Sequence, residues 1–143
     1  FLYGPGEHPA RLVPSVAGAL LAGRPAACSA GTQARDFLHV DDAAAALVAL
    51  TASGLTGPVN VGSGEAVAVR DVVGAVADAC GRPDLVRLGA REAPADEPPL
   101  LAADVGRLRD ELGWRPRTDL RAGLRAAVGW WRSTAGEGAR RCG

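Results

Sequence analysis

Apolar positions recur at helical spacing in five stretches of this chain, separated by short extended pieces and by turns rich in glycine and proline. Leu12, Val13, Val16, Ala17 and Leu20 share one face of a helix beginning near Pro9 or Ala10. Pro14 then falls near the first turn, where its missing N–H costs little, and Gly23-Arg24-Pro25 ends the helix. Ala44, Leu47, Val48 and Leu50 mark the inward face of a second helix, capped by Asp41 or Asp42. Val72, Val73, Val76, Ala77 and Cys80 predict a third helix over about residues 70–80, stopped by Gly81-Arg82-Pro83. A short helix follows Asp104 with Val105, Leu108 and Leu112 inward and Gly113 as its stop. Leu120, Leu124, Val128 and Trp131 define the last one, capped by Thr118. The extended pieces are residues 1–3, 26–29, 37–40, a buried strand at 58–62 and an edge strand at 85–88. Residues 89–99 are proline-rich, acidic and too irregular for either regular structure. Residues 1–133 read as one folded portion, and the small and charged residues 134–143 as a frayed tail.

Composition narrows what such a fold is for. A length of 143 residues suits one domain, and with 48% apolar but only 4% aromatic residues the core is filled by Ala, Val and Leu. Sixteen basic and sixteen acidic residues cancel, which argues against a generic nucleic-acid or membrane-surface binder. Cys28, Cys80 and Cys142 are odd in number, widely spaced and without metal-ligand pattern, so free thiols in a reducing, cytoplasmic compartment are expected. No apolar run reaches membrane-spanning length.

The densest chemistry lies in Gly31-Thr32-Gln33-Ala34-Arg35-Asp36-Phe37-Leu38-His39-Val40-Asp41-Asp42. A glycine-led turn delivers Arg35, whose planar fork suits a pair of phosphate oxygens; bonds to Asp36 or to loop carbonyls are the competing use. The Asp41-Asp42 pair at a helix start reads as capping and dipole complementarity rather than acid–base chemistry. His39, with no second histidine near it, reads as structural or solvent-facing. Gly62-Ser63-Gly64-Glu65 lacks a third glycine and a long helix directly after it, so it reads as a tight turn.

Arg35-Asp36-Phe37-Leu38-His39-Val40-Asp41-Asp42 resembles the Arg-Asp-Phe-x-x-Val-x-Asp signature of the NAD-dependent epimerase/dehydratase family, the nucleotide-sugar-modifying extended short-chain dehydrogenases/reductases. Tyr3-Gly4-Pro5-Gly6, Leu21-Ala22-Gly23-Arg24-Pro25, Val59-Asn60-Val61-Gly62-Ser63-Gly64-Glu65 and Leu112-Gly113-Trp114-Arg115-Pro116 follow the same family's order at nearly its spacing. The resemblance implies an α/β fold: the C-terminal part of a Rossmann-like parallel sheet plus a small α/β substrate-binding lobe. It implies NAD or NADP held mainly by another half of the enzyme, a nucleotide-sugar substrate, and homodimerisation through helices outside this chain.

Pro9-Ala10-Arg11-Leu12-Val13-Pro14 is similar to a family segment lining the nucleotide-sugar pocket, which assigns Arg11 and Leu12 to substrate; a solvated charge is the other reading of Arg11. The strand carrying Cys28 corresponds to the one beside the nucleotide base, with Cys28 a small pocket or core residue. Asn60 ends a strand whose polar residues lie near substrate in the family. Arg91 fits a second substrate arginine, and Asp96 or Glu97 the carboxylate that follows it. Phe1 departs from the family's usual asparagine two residues before the tyrosine. The family's catalytic Tyr-x-x-x-Lys and its glycine-rich dinucleotide loop have no counterpart, since Tyr3 is the one tyrosine and lysine is absent. No residue here is therefore assigned to catalysis. The alternative is a non-catalytic nucleotide-binding module, or an inactive fragment, of the same ancestry.

Overall fold

A computed structural model describes residues 1–140, with side chains through Thr134. The strands and α-helices follow in the order β1 (Leu2–Tyr3), α1 (Leu12–Leu21), β2 (Ala26–Ala27), β3 (Ala34–Asp36), β4 (Leu38–His39), α2 (Val40–Thr51), β5 (Ala66–Ala68), α3 (Val69–Cys80), β6 (Val86–Arg87), β7 (Leu100–Leu101) and α4 (Leu120–Arg140). β1 pairs in parallel with β4, and β2 in parallel with β6. In the third sheet β3 is central, parallel to β7 and antiparallel to β5. The chain is thus an α/β structure with parallel strand pairs.

Helices α1, α3 and α4 pack on one another. Their interior is aliphatic: Val13, Val16 and Leu20, Val72, Val73 and Val76, Leu124 and Val128 are buried. These are the positions that the 3.6-residue period singles out. Gly31 sets the spacing between the strand layer and α3. Its carbonyl accepts the Arg70 N–H at 2.9 Å, and a Cβ there would lie 2.7 Å from the same nitrogen. Its φ of +65° adds a second reason for glycine.

Several expected elements move. Helix α1 starts at Leu12 rather than Pro9 or Ala10, which places Pro14 still in the first turn. Residues 58–62 form no strand; the Arg107 guanidinium takes the carbonyls of Thr56 and Pro58, each at 3.0 Å, in place of a neighbouring strand. The strand comes later, as β5, and β7 follows directly on the irregular stretch, which itself forms neither helix nor strand. Asp119, not Thr118, caps α4, its carboxylate accepting the Ala122 N–H at 2.9 Å. Helix α4 carries no proline and continues through Arg140, past the boundary expected at residue 133; residues 141–143 of the expected tail lie outside the described residues.

Helix α2 is turned the opposite way from its apolar pattern. Asp42, Ala43 and Ala46 face inward, whereas Ala44 is exposed, Leu47 is 57% exposed and Val48 68%. Asp42 is held on the inward face, its carboxylate accepting the N–H groups of Arg117 at 3.2 Å and Thr118 at 2.9 Å. Two alanines beside it let the helix lie close against β1 and β4. His39 rather than Asp41 or Asp42 is the N-cap, its Nδ1 accepting the Asp41 N–H. No helix among the described residues is long and apolar enough to cross a membrane.

Candidate functional site

Side chains alternate across a strand, so Gln33, Arg35 and Phe37 point to one side of β3 and Asp36 to the other. The first three line a cavity of about 280 Å³ together with Phe1, Glu7, Arg11, Leu12, Val69 and Glu97. Arg35 is only 3% exposed. Its Nη1 donates to the Ala34 carbonyl at 2.8 Å and its Nη2 to Glu97 Oε1 at 2.7 Å, with the Phe1 ring 5.7 Å away. Gln33 donates to the other Glu97 oxygen at 3.2 Å. Arg11 stands at the mouth with its Nε 3.7 Å from Glu7 Oε1. Burial pushes the Glu7 carboxyl up, against the opposing pull of Arg11.

A second cavity, of about 400 Å³, adjoins the first through shared walls of Leu12, Gln33 and Val69. It is lined by β2 with Cys28 and Ser29 on one side and by Arg91, Glu92 and Pro94 on the other. The Arg91 N–H donates to the Cys28 carbonyl at 3.1 Å, which fastens the irregular loop to the strand. Among the described residues no carboxylate pairs with the Arg91 side chain. Burial raises the Cys28 thiol, with Arg91 pulling the other way, so the group is a thiol at neutral pH.

The opposite side of β3 is organised by Asp36. Its carboxylate accepts Ser63 N–H (2.8 Å), Ser63 hydroxyl (2.6 Å), Gly64 N–H (3.0 Å) and Ala103 N–H (3.2 Å). Burial works to raise this carboxyl, but those bonds outweigh it and hold it below the usual carboxylate range. Asp42 follows the same rule: burial raises it, and the donors at Thr118 and Arg117 win. Gly62 is glycine because a Cβ would sit 2.6 Å from the Asp36 carboxylate and 2.5 Å from Ala103. The 62–64 turn is therefore closed on an internal anion, as expected of a tight turn. Among the described residues, that turn leaves no cradle for the pyrophosphate of a dinucleotide. Nor does any group of three His, Cys, Asp or Glu side chains among them have the geometry to hold a metal ion.

Arg11 and Leu12 join Arg35 in one cavity, and Leu12, Cys28 and Arg91 line the other. Asn60 stands apart from both, donating to the Asp104 carbonyl at 3.1 Å and lining a separate hollow with Arg107. Asp96 lines neither cavity; of the two acids that the sequence offered, Glu97 reaches Arg35. Gln33 and Glu7 were not singled out by sequence. Counting the strand alternation backward from Arg35 finds Gln33, whereas nothing in sequence signals Glu7.

The α/β frame with parallel strand pairs thus presents two adjoining cavities edged by arginines. Residues 1–62 match the NAD dependent epimerase/dehydratase family. It is similar to dTDP-glucose 4,6-dehydratase of Streptomyces griseus, at 33% identity over 131 residues, 90% of this chain and 40% of that protein. It is similar also to a putative GDP-L-fucose synthase 2 of Oryza sativa subsp. japonica, at 42% identity over 105 residues, 72% of this chain and 29% of that protein. The solved structure of MoeE5 in complex with UDP-glucuronic acid and NAD superposes with a TM-score of 0.80 at 35% identity, covering 93% of this chain and 45% of that one. The chain thus spans about 40% of the length of the first of these relatives.

Proposed function

We propose that the chain is the substrate-binding half of an NAD(P)-dependent nucleotide-sugar epimerase or dehydratase, and that it clamps the nucleoside diphosphate of the substrate. The observation that carries this reading is the adjacency of the two cavities. Arg35 and Arg11 edge the first, Arg91 edges the second, and Leu12, Gln33 and Val69 form their common wall. The diphosphate lies where the cavities meet, with guanidinium groups approaching from more than one direction. The nucleoside base occupies the larger cavity beside Cys28, and the sugar emerges past Arg11.

In this reading the residues present bind and orient, and the chemistry belongs to a NAD(P)-binding portion that brings the reactive sugar carbon its redox partner. The family's nucleotide-sugar chemistry fits this division, since binding energy from the remote diphosphate positions a sugar that makes few contacts of its own. The free thiols of Cys28 and Cys80 accord with a cytoplasmic setting, and homodimerisation of the intact enzyme is assigned to the other portion.

Cysteine alkylation with peptide mapping tests the assignment. UDP or dTDP is expected to slow alkylation of Cys28 at least severalfold while leaving Cys80, which lines neither cavity, at its own rate. Equal rates at Cys28 with and without saturating nucleotide overturn the reading.

A further inference from the structure

The Arg35 guanidinium is not free to receive a phosphate. Its side chain is 4% exposed, Nη2 is held by Glu97 at 2.7 Å, and Nη1 is turned to the Ala34 carbonyl. Glu97 is itself held twice, since Gln33 occupies its second oxygen. A carboxylate seated between Arg35 and the space beside it repels any incoming anion, and it competes for the same N–H donors. Glu97 lies within residues 88–99, which form neither helix nor strand, so it can withdraw without breaking a regular element. Its side chain is 27% exposed, leaving a path into water.

We propose that Glu97 is the specificity-determining residue of the anion site: it sets a charge threshold, admitting a diphosphate and turning away a monophosphate. This rests on the nucleoside-diphosphate reading above and deepens it. A monophosphate brings too little charge to displace the carboxylate from Arg35. A diphosphate engages Arg35 and Arg91 together and replaces the lost pair with two. Discrimination thus combines a built-in repulsive element, Glu97, with the second arginine that only a diphosphate reaches.

The test is calorimetric titration of the 143-residue chain and its Glu97→Gln variant with uridine, UMP and UDP. The native chain is expected to bind UDP well and UMP hardly better than uridine. Glu97→Gln is expected to bind UMP about tenfold more tightly, with a smaller gain for UDP, so that the ratio narrows. Weaker binding of both nucleotides by the variant overturns the proposal by making Glu97 a ligand contact, and unchanged binding overturns it by making Glu97 idle. If Glu97→Gln does not fold, as judged by circular dichroism, the native series decides. A jump confined to UDP supports the threshold, whereas an even gain with each phosphate contradicts it. A native chain that binds no UDP at all refutes the diphosphate reading itself, and this inference with it.

Discussion

The α1–α3–α4 layer and the β1–β4–α2 end of the molecule bury different things. In the first, the interior is valine and leucine, at the positions helical periodicity selects. In the second, the buried positions include Asp42, His39, Ala43 and Ala46, while Leu47 and Val48 face outward. One end is held by apolar area alone, and the other, beside buried Tyr3 and Leu38, also by hydrogen bonds to a carboxylate. The difference teaches that an apolar stripe says a helix has two faces but not which one its own chain uses. Here the inward face is the one that carries a buried acid with two backbone donors to satisfy.

Substitutions separate the two modes. Leu124→Ala, at a fully buried site between the packed helices, is expected to lower stability by about 3 kcal/mol in urea unfolding. Leu47→Ala is expected to stay within about 0.5 kcal/mol of the native chain. Equal losses would erase the distinction. Asp42→Ala leaves the Arg117 and Thr118 N–H groups without their acceptor and is expected to lower stability by about 2 kcal/mol.

The same carboxylates give the acid response. Asp36 and Asp42 both titrate lower in the folded chain than when unfolded. Their contribution is therefore in force above the unfolded carboxylate value, near ~4, and is lost as pH falls through the lower folded values. Urea midpoints are expected to hold between neutral pH and about pH 5 and then drop, with a shallower drop in Asp42→Asn. A midpoint that falls equally in native and variant chains would remove Asp42 from the explanation. The smallest effect belongs to the outward face of α2. The Leu47→Glu, Val48→Glu double variant is expected to unfold at nearly the native urea concentration while self-associating less in sedimentation, because the apolar patch it removes is exposed.

Sequence was most legible where packing alone decides. The buried faces of α1, α3 and α4, the stop at Gly81 and the irregular loop before β7 follow from spacing and turn chemistry. It was least legible where a polar group from a distant part of the chain decides. Asp42 meets residues 75 and 76 positions away, Arg107 takes carbonyls about 50 positions back, and Asp36 closes the 62–64 turn. No local pattern encodes those meetings. Arg35 and Arg91 could be picked out singly as anion partners, but the carboxylate that masks Arg35 required the fold.

The central claim is that Arg35 receives the substrate's diphosphate, and Arg35→Lys tests it most directly because it leaves a positive charge for Glu97 while removing the fork. Titrated with UDP, the variant is expected to bind at least about tenfold more weakly than the native chain. Native affinity in a folded Arg35→Lys chain would contradict the account.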